Sequence, residues 1–184
     1  GVIVSAAEVK PLLALRTYRE LLFPLHTRQP VTRVPEQAAE EIWNSEFWEL
    51  LRECHSEEAP FCFRLELRGK LEPSEKASFI KKLAARLEAE SGRKLINFTG
   101  DYEAELRLYL NKQGNFVPFL KLYTIPMPRF SYRKNAVAMS IHPSAAAMLV
   151  RLAQPYLKRG ARVLDPFCGV GTMLIEREML VPAA

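Results

Sequence analysis

From Pro60 to Lys70 the chain reads PFCFRLELRGK, and apolar and polar side chains alternate. Phe61, Phe63, Leu65 and Leu67 fall on one side, and Cys62, Arg64, Glu66 and Arg68 on the other. A period of two is that of a strand with one buried face. The period then changes in EPSEKASFIKKLAARLEAESGRK. Phe79 and Ile80, Leu83 and Ala84, and Leu87 recur at helical spacing, and Gly92 supplies the stop. LINF (95–98) predicts a short strand. Within 104–123, AELRLYL and FVPFLKLY alternate on either side of NKQGN, whose glycine suits a hairpin turn. The middle third therefore predicts a β-α-β-β-β module.

The flanks are patterned differently. PEQAAEEIWNSEFWELLREC (35–54) predicts one helix, with Pro35 in its first turn, acidic residues near its start and Ile42, Trp43, Phe47, Leu50 and Leu51 at helical spacing. EVKPLLALRTYRELLFPL (8–25) mixes periods; its second half reads as a strand, with an amphipathic helix as the alternative. Pro126, Pro128 and RFSYRKN mark a basic connector, where a module boundary is expected. SIHPSAAAMLVRLAQPYLKRG (140–160) predicts a loop and then a helix ending at Gly160. ARVLD predicts a strand, and GTMLIEREML another helix.

A length of 184 residues suffices for one large domain or two small ones. No apolar run approaches the roughly 20 residues that span a bilayer. The opening GVIVSAAEVK lacks a Met and a basic leader, and reads as an internal cut of a longer protein. Cys54, Cys62 and Cys168 are odd in number and lack metal-binding spacing. They predict free thiols in the cytoplasm and no metal site. Charge is uneven. Residues 1–60 carry six basic and ten acidic side chains, residues 61–134 carry fifteen and eight, and residues 135–184 carry five and three. The basic middle suggests a polyanionic partner, nucleic acid above all. Arg64, Arg68, Lys70, Lys81, Lys82, Arg93 and Lys94 are the candidate phosphate contacts.

Chemistry concentrates in VLDPFCGVGTMLIE (163–176). Gly169 and Gly171 remove side chains where backbone must approach a ligand or take positive φ. Asp165 closes a predicted strand, at the edge where open α/β sheets bind ligands, and the following helix turns its free N–H groups and positive dipole the same way. A P-loop is excluded because no Lys follows Gly171, and a dinucleotide fingerprint fits poorly because Leu174 stands where its third glycine belongs.

DPFCGVGTMLIE resembles the first motif of class I S-adenosylmethionine-dependent methyltransferases that act on amino groups of nucleic-acid bases. It is most similar to that of the THUMP-containing RNA methyltransferases, a family also described as putative RNA methylases or adenine-specific DNA methylases. Cys168 and the upstream HPSAAAMLVRLA fit that subgroup. The resemblance implies an α+β chain with a ferredoxin-like region at 1–60, a THUMP-like RNA-binding module at 61–125, a linker at 126–139, and the first strand and helix of a truncated Rossmann-like methyltransferase domain at 140–184. It implies S-adenosylmethionine as cofactor. Asp165 would lie near its ammonium group, and Pro166, Phe167, Cys168, Gly169 and Gly171 would shape the loop beneath it. Ile141, His142 and Pro143 match the upstream cofactor-side loop.

The implied activity is methyl transfer to an exocyclic amine of rRNA or tRNA, guanine N2 foremost. A non-catalytic RNA-binding module and a DNA adenine methylase are the alternatives. The family's ribose-binding acid and its Asn/Asp-Pro-Pro-aromatic catalytic loop have no counterpart in these residues. No catalytic residue is therefore assigned, and the chain alone is expected to be inactive. With no partner strand at hand, residues 161–184 are expected to be disordered, packed on the rest, or completed by another chain.

Overall fold

The computed structural model describes residues 2–54, 60–92, 94–126, 128–135, 137–158 and 160–180. It divides into two compact units. Leu21–Pro126 form one; Gly1–Glu20 and Met127–Ala184 form the other.

The central unit is built on a five-stranded sheet in the order β1-β5-β4-β2-β3. Its strands are β1 (Phe23–Pro24), β2 (Phe61–Arg68), β3 (Leu95–Asn97), β4 (Ala104–Leu110) and β5 (Phe116–Leu122). β2 runs parallel to both β3 and β4, while β5 runs antiparallel to β4 and β1. The period of two sets this sheet's faces. Phe63, Leu65, Leu67, Leu106, Leu108, Leu120 and Leu122 turn to one side and are buried. The helices α2 (Pro35–Trp43) and α4 (Pro73–Glu90) bring Ala38, Ile42, Leu83 and Leu87 into the same core.

The single helix expected at 35–54 is two. α2 stops at Trp43, and α3 runs Phe47–Cys54. Ser45 makes the break: its Oγ donates to the Ile42 carbonyl at 2.5 Å and accepts from the Phe47 N–H at 3.3 Å. Such a hydroxyl offers the backbone an alternative to the helical ladder. The break lets Trp43 and Trp48 stack, with ring centroids 5.2 Å apart. The boundary expected between residues 60 and 61 falls inside this unit, because α2, α3 and the sheet share one core.

The second unit contains α1 (Lys10–Ala14), a 3-10 turn at Pro128–Phe130, α5 (Pro143–Ala153), a further 3-10 turn at Gln154–Tyr156, and α6 (Thr172–Leu180). α5 packs on α6. The strand expected in the second half of 8–25 is replaced by α1, irregular chain and the two-residue β1. The strand expected at ARVLD is also absent, and residues 161–165 carry no ladder. A strand exists through its neighbour's hydrogen bonds, and no described strand lies beside this segment. Val163 and Leu164, its apolar residues, stay exposed.

Candidate functional site

The 165–171 loop is a pair of turns held by its own backbone. Asp165 Oδ1 accepts the Phe167 N–H at 3.0 Å, an Asx turn that occupies one carboxylate oxygen. The Gly171 N–H then donates to the Cys168 carbonyl at 2.8 Å. Gly169 and Gly171 take φ of +54° and +76°, and α6 starts at the next residue. Asp165 is half-buried, while Pro166, Phe167, Cys168 and Gly169 are exposed. A Cβ on Gly169 would meet nothing within 4 Å, so open space lies above the loop.

A cavity of about 260 Å³ adjoins this loop, lined by Tyr132, Arg133, Lys134, Asn135, Val170, Thr172 and Ile175. Thr172 is 2% exposed, and its hydroxyl has no hydrogen-bond partner. The sequence pattern predicts a linker at 126–139. What it missed is that SYRKN folds back as a wall of this cavity, and no local pattern in SYRKN signals that.

His142 and Pro143 begin α5. His142 is its N-cap: Nδ1 accepts from the Ser144 N–H at 3.2 Å and lies 2.7 Å from the Ser144 hydroxyl. The His142 ring stands edge-on to Phe130. Its pKa is held below the ordinary value, by burial first and then by the positive charges of Arg19, Arg133 and Arg129. Ile141, just before it, is half-buried.

Behind the cavity, α6 turns Glu176 inward, where its side chain is 1% exposed. Arg16 grips both carboxylate oxygens, and the Tyr132 hydroxyl donates to one of them. Burial, reinforced by that carboxylate, pushes the Tyr132 phenol up to about 12. Arg16 also lies over the Phe130 and Tyr132 rings. Arg129 covers Tyr18 at 3.5 Å and donates to the Leu15 and Arg19 carbonyls. Residues 15–19 and 129–132 thus brace α6 from its inner side.

The candidate phosphate contacts do not form one patch. Arg64 and Arg68 lie on the sheet face turned away from the helices; Lys81 and Lys82 lie on the solvent side of α4, across the sheet. Lys70 and Lys94 are exposed at strand ends, and Arg93 lies outside the described residues. Lys82, Arg33 and Glu75 rim a cavity of about 220 Å³ floored by Phe79 and Phe116.

Among the described residues, no group of three or more His, Cys, Asp or Glu could hold a metal ion, and no helix is long and apolar enough to cross a membrane.

Residues 131–184 match the model of a protein family described as "RMKL-like, methyltransferase domain". The family resemblance read from the 165–172 motif is borne out there. The fold is similar to the crystal structure of TrmN from Thermus thermophilus, with a TM-score of 0.62 and 22% identity over 97% of this chain. The chain spans about half of that structure's length, 51%. No curated protein matches it in sequence.

Proposed function

We propose that the chain, whose residues 131–184 match the RMKL-like methyltransferase domain family, is part of an RNA methyltransferase that uses S-adenosylmethionine. The observation that carries this reading is the loop and cavity at the start of α6. A buried hydroxyl without a partner costs about 1–3 kcal/mol unless a ligand or water satisfies it. Thr172 is such a hydroxyl, placed where the first amides of α6 lack intrahelical partners and beside the cations of Arg133 and Lys134. That set suits the carboxylate of an amino acid moiety. Asp165 keeps one oxygen for an ammonium group. When bound, the cofactor supplies an electrophilic methyl group on a sulfonium centre.

The chain's own residues then bind and orient. Gly169 and Gly171 let backbone approach the cofactor, Phe167 offers an exposed ring at the loop crest, and His142 with Pro143 sets the start of α5. The acceptor is read as an exocyclic amine of a base in rRNA or tRNA, guanine N2 foremost. Its attack needs positioning more than a strong base. No group among these residues is assigned to hold the target base. The central unit is read as the THUMP-like RNA-binding module. The basic balance of residues 61–134 supports that reading, as does the TrmN-like fold.

One observation favours a narrower activity for the chain on its own. The 161–165 segment has no strand partner among the described residues, and Val163, Leu164 and Phe167 are exposed beside the loop. A cofactor site normally stands on a strand that belongs to a sheet. The isolated chain is therefore read as binding RNA without turnover. The test is equilibrium binding of bulk tRNA and rRNA fragments by the chain across a salt series. Affinity that falls steeply with salt is expected from phosphate contacts; no binding, or binding indifferent to salt, contradicts the reading.

A further inference from the structure

The sheet face turned away from α2 and α4 carries an ordered grid. Arg64 stands beside Glu105, and Glu105 beside Lys121. Glu66 stands beside Arg107, and Arg107 beside Phe119; Arg68 stands beside Tyr109, and Tyr109 beside Val117. Two aromatic pairs flank the charges. Tyr102 and Tyr123 meet edge to face at 5.1 Å, and Tyr109 and Phe119 do so at 5.6 Å. Arg64 lies 5.6 Å from the Tyr102 ring centre, and the Lys121 ammonium 4.5 Å from that of Tyr123.

The carboxylates lie deeper in the grid than Arg68. Glu105 has a side chain only 3% exposed, gripped by Arg107 at 2.6 Å and by the Tyr123 hydroxyl at 3.2 Å. Glu66 is 15% exposed and shared by Arg68 and Arg107. These carboxylates are spent inside the grid, and Glu103, just ahead of β4, is itself half-buried. Arg68 remains half exposed to solvent, and Arg64 and Lys121 lie over aromatic rings. Ile96, Val117 and Tyr123 on this face are exposed.

We infer that this face is a stacking platform for single-stranded RNA, with Tyr102, Tyr109, Phe119 and Tyr123 under the bases and Arg64, Arg68 and Lys121 toward the phosphates. Three half-buried rings and the exposed Tyr123, interleaved with Arg and Lys on one sheet face, match what an unpaired strand offers: flat base faces and a charged backbone. A duplex keeps its base faces stacked inside and would use only the cations. The inference rests on the RNA-binding reading above and narrows it to one face and one RNA form.

The test uses the 184-residue chain and two fluorescent probes, a mixed-sequence single-stranded oligoribonucleotide and a blunt hairpin of equal length. The parent is expected to prefer the single strand. Phe119→Leu and Tyr123→Leu are each expected to weaken that binding about tenfold, in line with ~1–3 kcal/mol per stacked base, with the salt slope unchanged. Lys121→Gln should reduce the salt slope, and K81Q/K82Q should leave the preference for the single strand over the hairpin intact. Loss in K81Q/K82Q with parental binding by the leucine variants would place RNA on α4 and overturn the platform. Photo-crosslinking of a 4-thiouridine oligonucleotide to the unmodified chain avoids any folding defect. Adducts within 102–123 support the platform. Adducts confined to 73–90 overturn it and leave the face to a protein partner. A parent that binds neither probe fails the RNA reading as a whole, a different outcome from the other two.

Discussion

Arg16 and Glu176, 160 residues apart in sequence, form a two-pronged ion pair, with both N···O distances at 2.8 Å. The hydrogen bond and charge of Glu176 raise the Arg16 pKa, so the guanidinium is held as a cation. The carboxylate lies on α6, four positions after Thr172, and the arginine lies just after α1. The helix that presents the candidate cofactor loop is thereby fastened to the amino-terminal segment.

Removing one partner of a buried pair leaves an uncompensated charge. Arg16→Met is expected to destabilise the unit containing α6 by about 3 kcal/mol, toward the lower end for a buried pair because Arg16 itself is a quarter exposed. Deleting residues 1–20 should do at least as much and leave the 21–126 unit folded. Limited proteolysis with mass analysis of the fragments checks both: cleavage is expected in 137–180 before 61–122. Early cleavage in the central sheet would mean that the partition between units is wrong.

Two glycines separate a steric role from a ligand role. Gly69 has φ of +144°, and a Cβ there would lie 2.5 Å from the Leu110 Cβ. Gly171 has φ of +76°, and its nearest neighbour would be the Ile175 Cδ1 at 4.0 Å. Gly69→Ala should therefore cost about 2–3 kcal/mol from strain and overlap together, and Gly171→Ala about 1 kcal/mol from strain alone. Denaturant unfolding gives both values. In the complete gene product the ranking should invert for cofactor affinity, with Gly171→Ala the more damaging. Equal loss of affinity in the two variants would remove the loop from the site.

His142 predicts a pH dependence. Its folded-state pKa lies below the ordinary value of about 6.5, so the unfolded chain takes up the proton first. Stability should fall as pH drops from about 6.5 through the lower folded-state value, where protonation also removes the Nδ1 acceptor that caps α5. His142→Asn keeps a capping oxygen without a titrating group. Melting curves between pH 7.5 and 5 should show a decline in the parent that is reduced in this variant. Parallel declines would assign the effect to other groups.

The central sheet was legible because the long strands send their apolar side chains to one face, so Phe61 to Leu67 and Ala104 to Leu110 print the sheet's period directly into the sequence. The helical core of α4 was legible for the same reason. The break at Ser45 was not, since Ile42, Phe47 and Leu51 keep helical spacing through it. The 161–165 strand misled because VLD has strand character while pairing depends on a neighbour that local sequence does not reveal. The 165–171 turn could be read from Asp165, Gly169 and Gly171, whose backbone preferences are local. The cavity beside it could not, because Tyr132 and Lys134 reach Thr172 through tertiary folding. On the sheet, the alternation that placed Arg64 outward also placed Tyr109, Phe119 and Tyr123 outward.

The central claim is methyl transfer to RNA. It is tested most directly by incubating the complete product of the gene with labelled S-adenosylmethionine, offering total RNA, genomic DNA and protein side by side. Label in a tRNA or rRNA band, with none in the other two, is the predicted result. Label in DNA or protein, or no label in any of the three while the cofactor is bound, would contradict it.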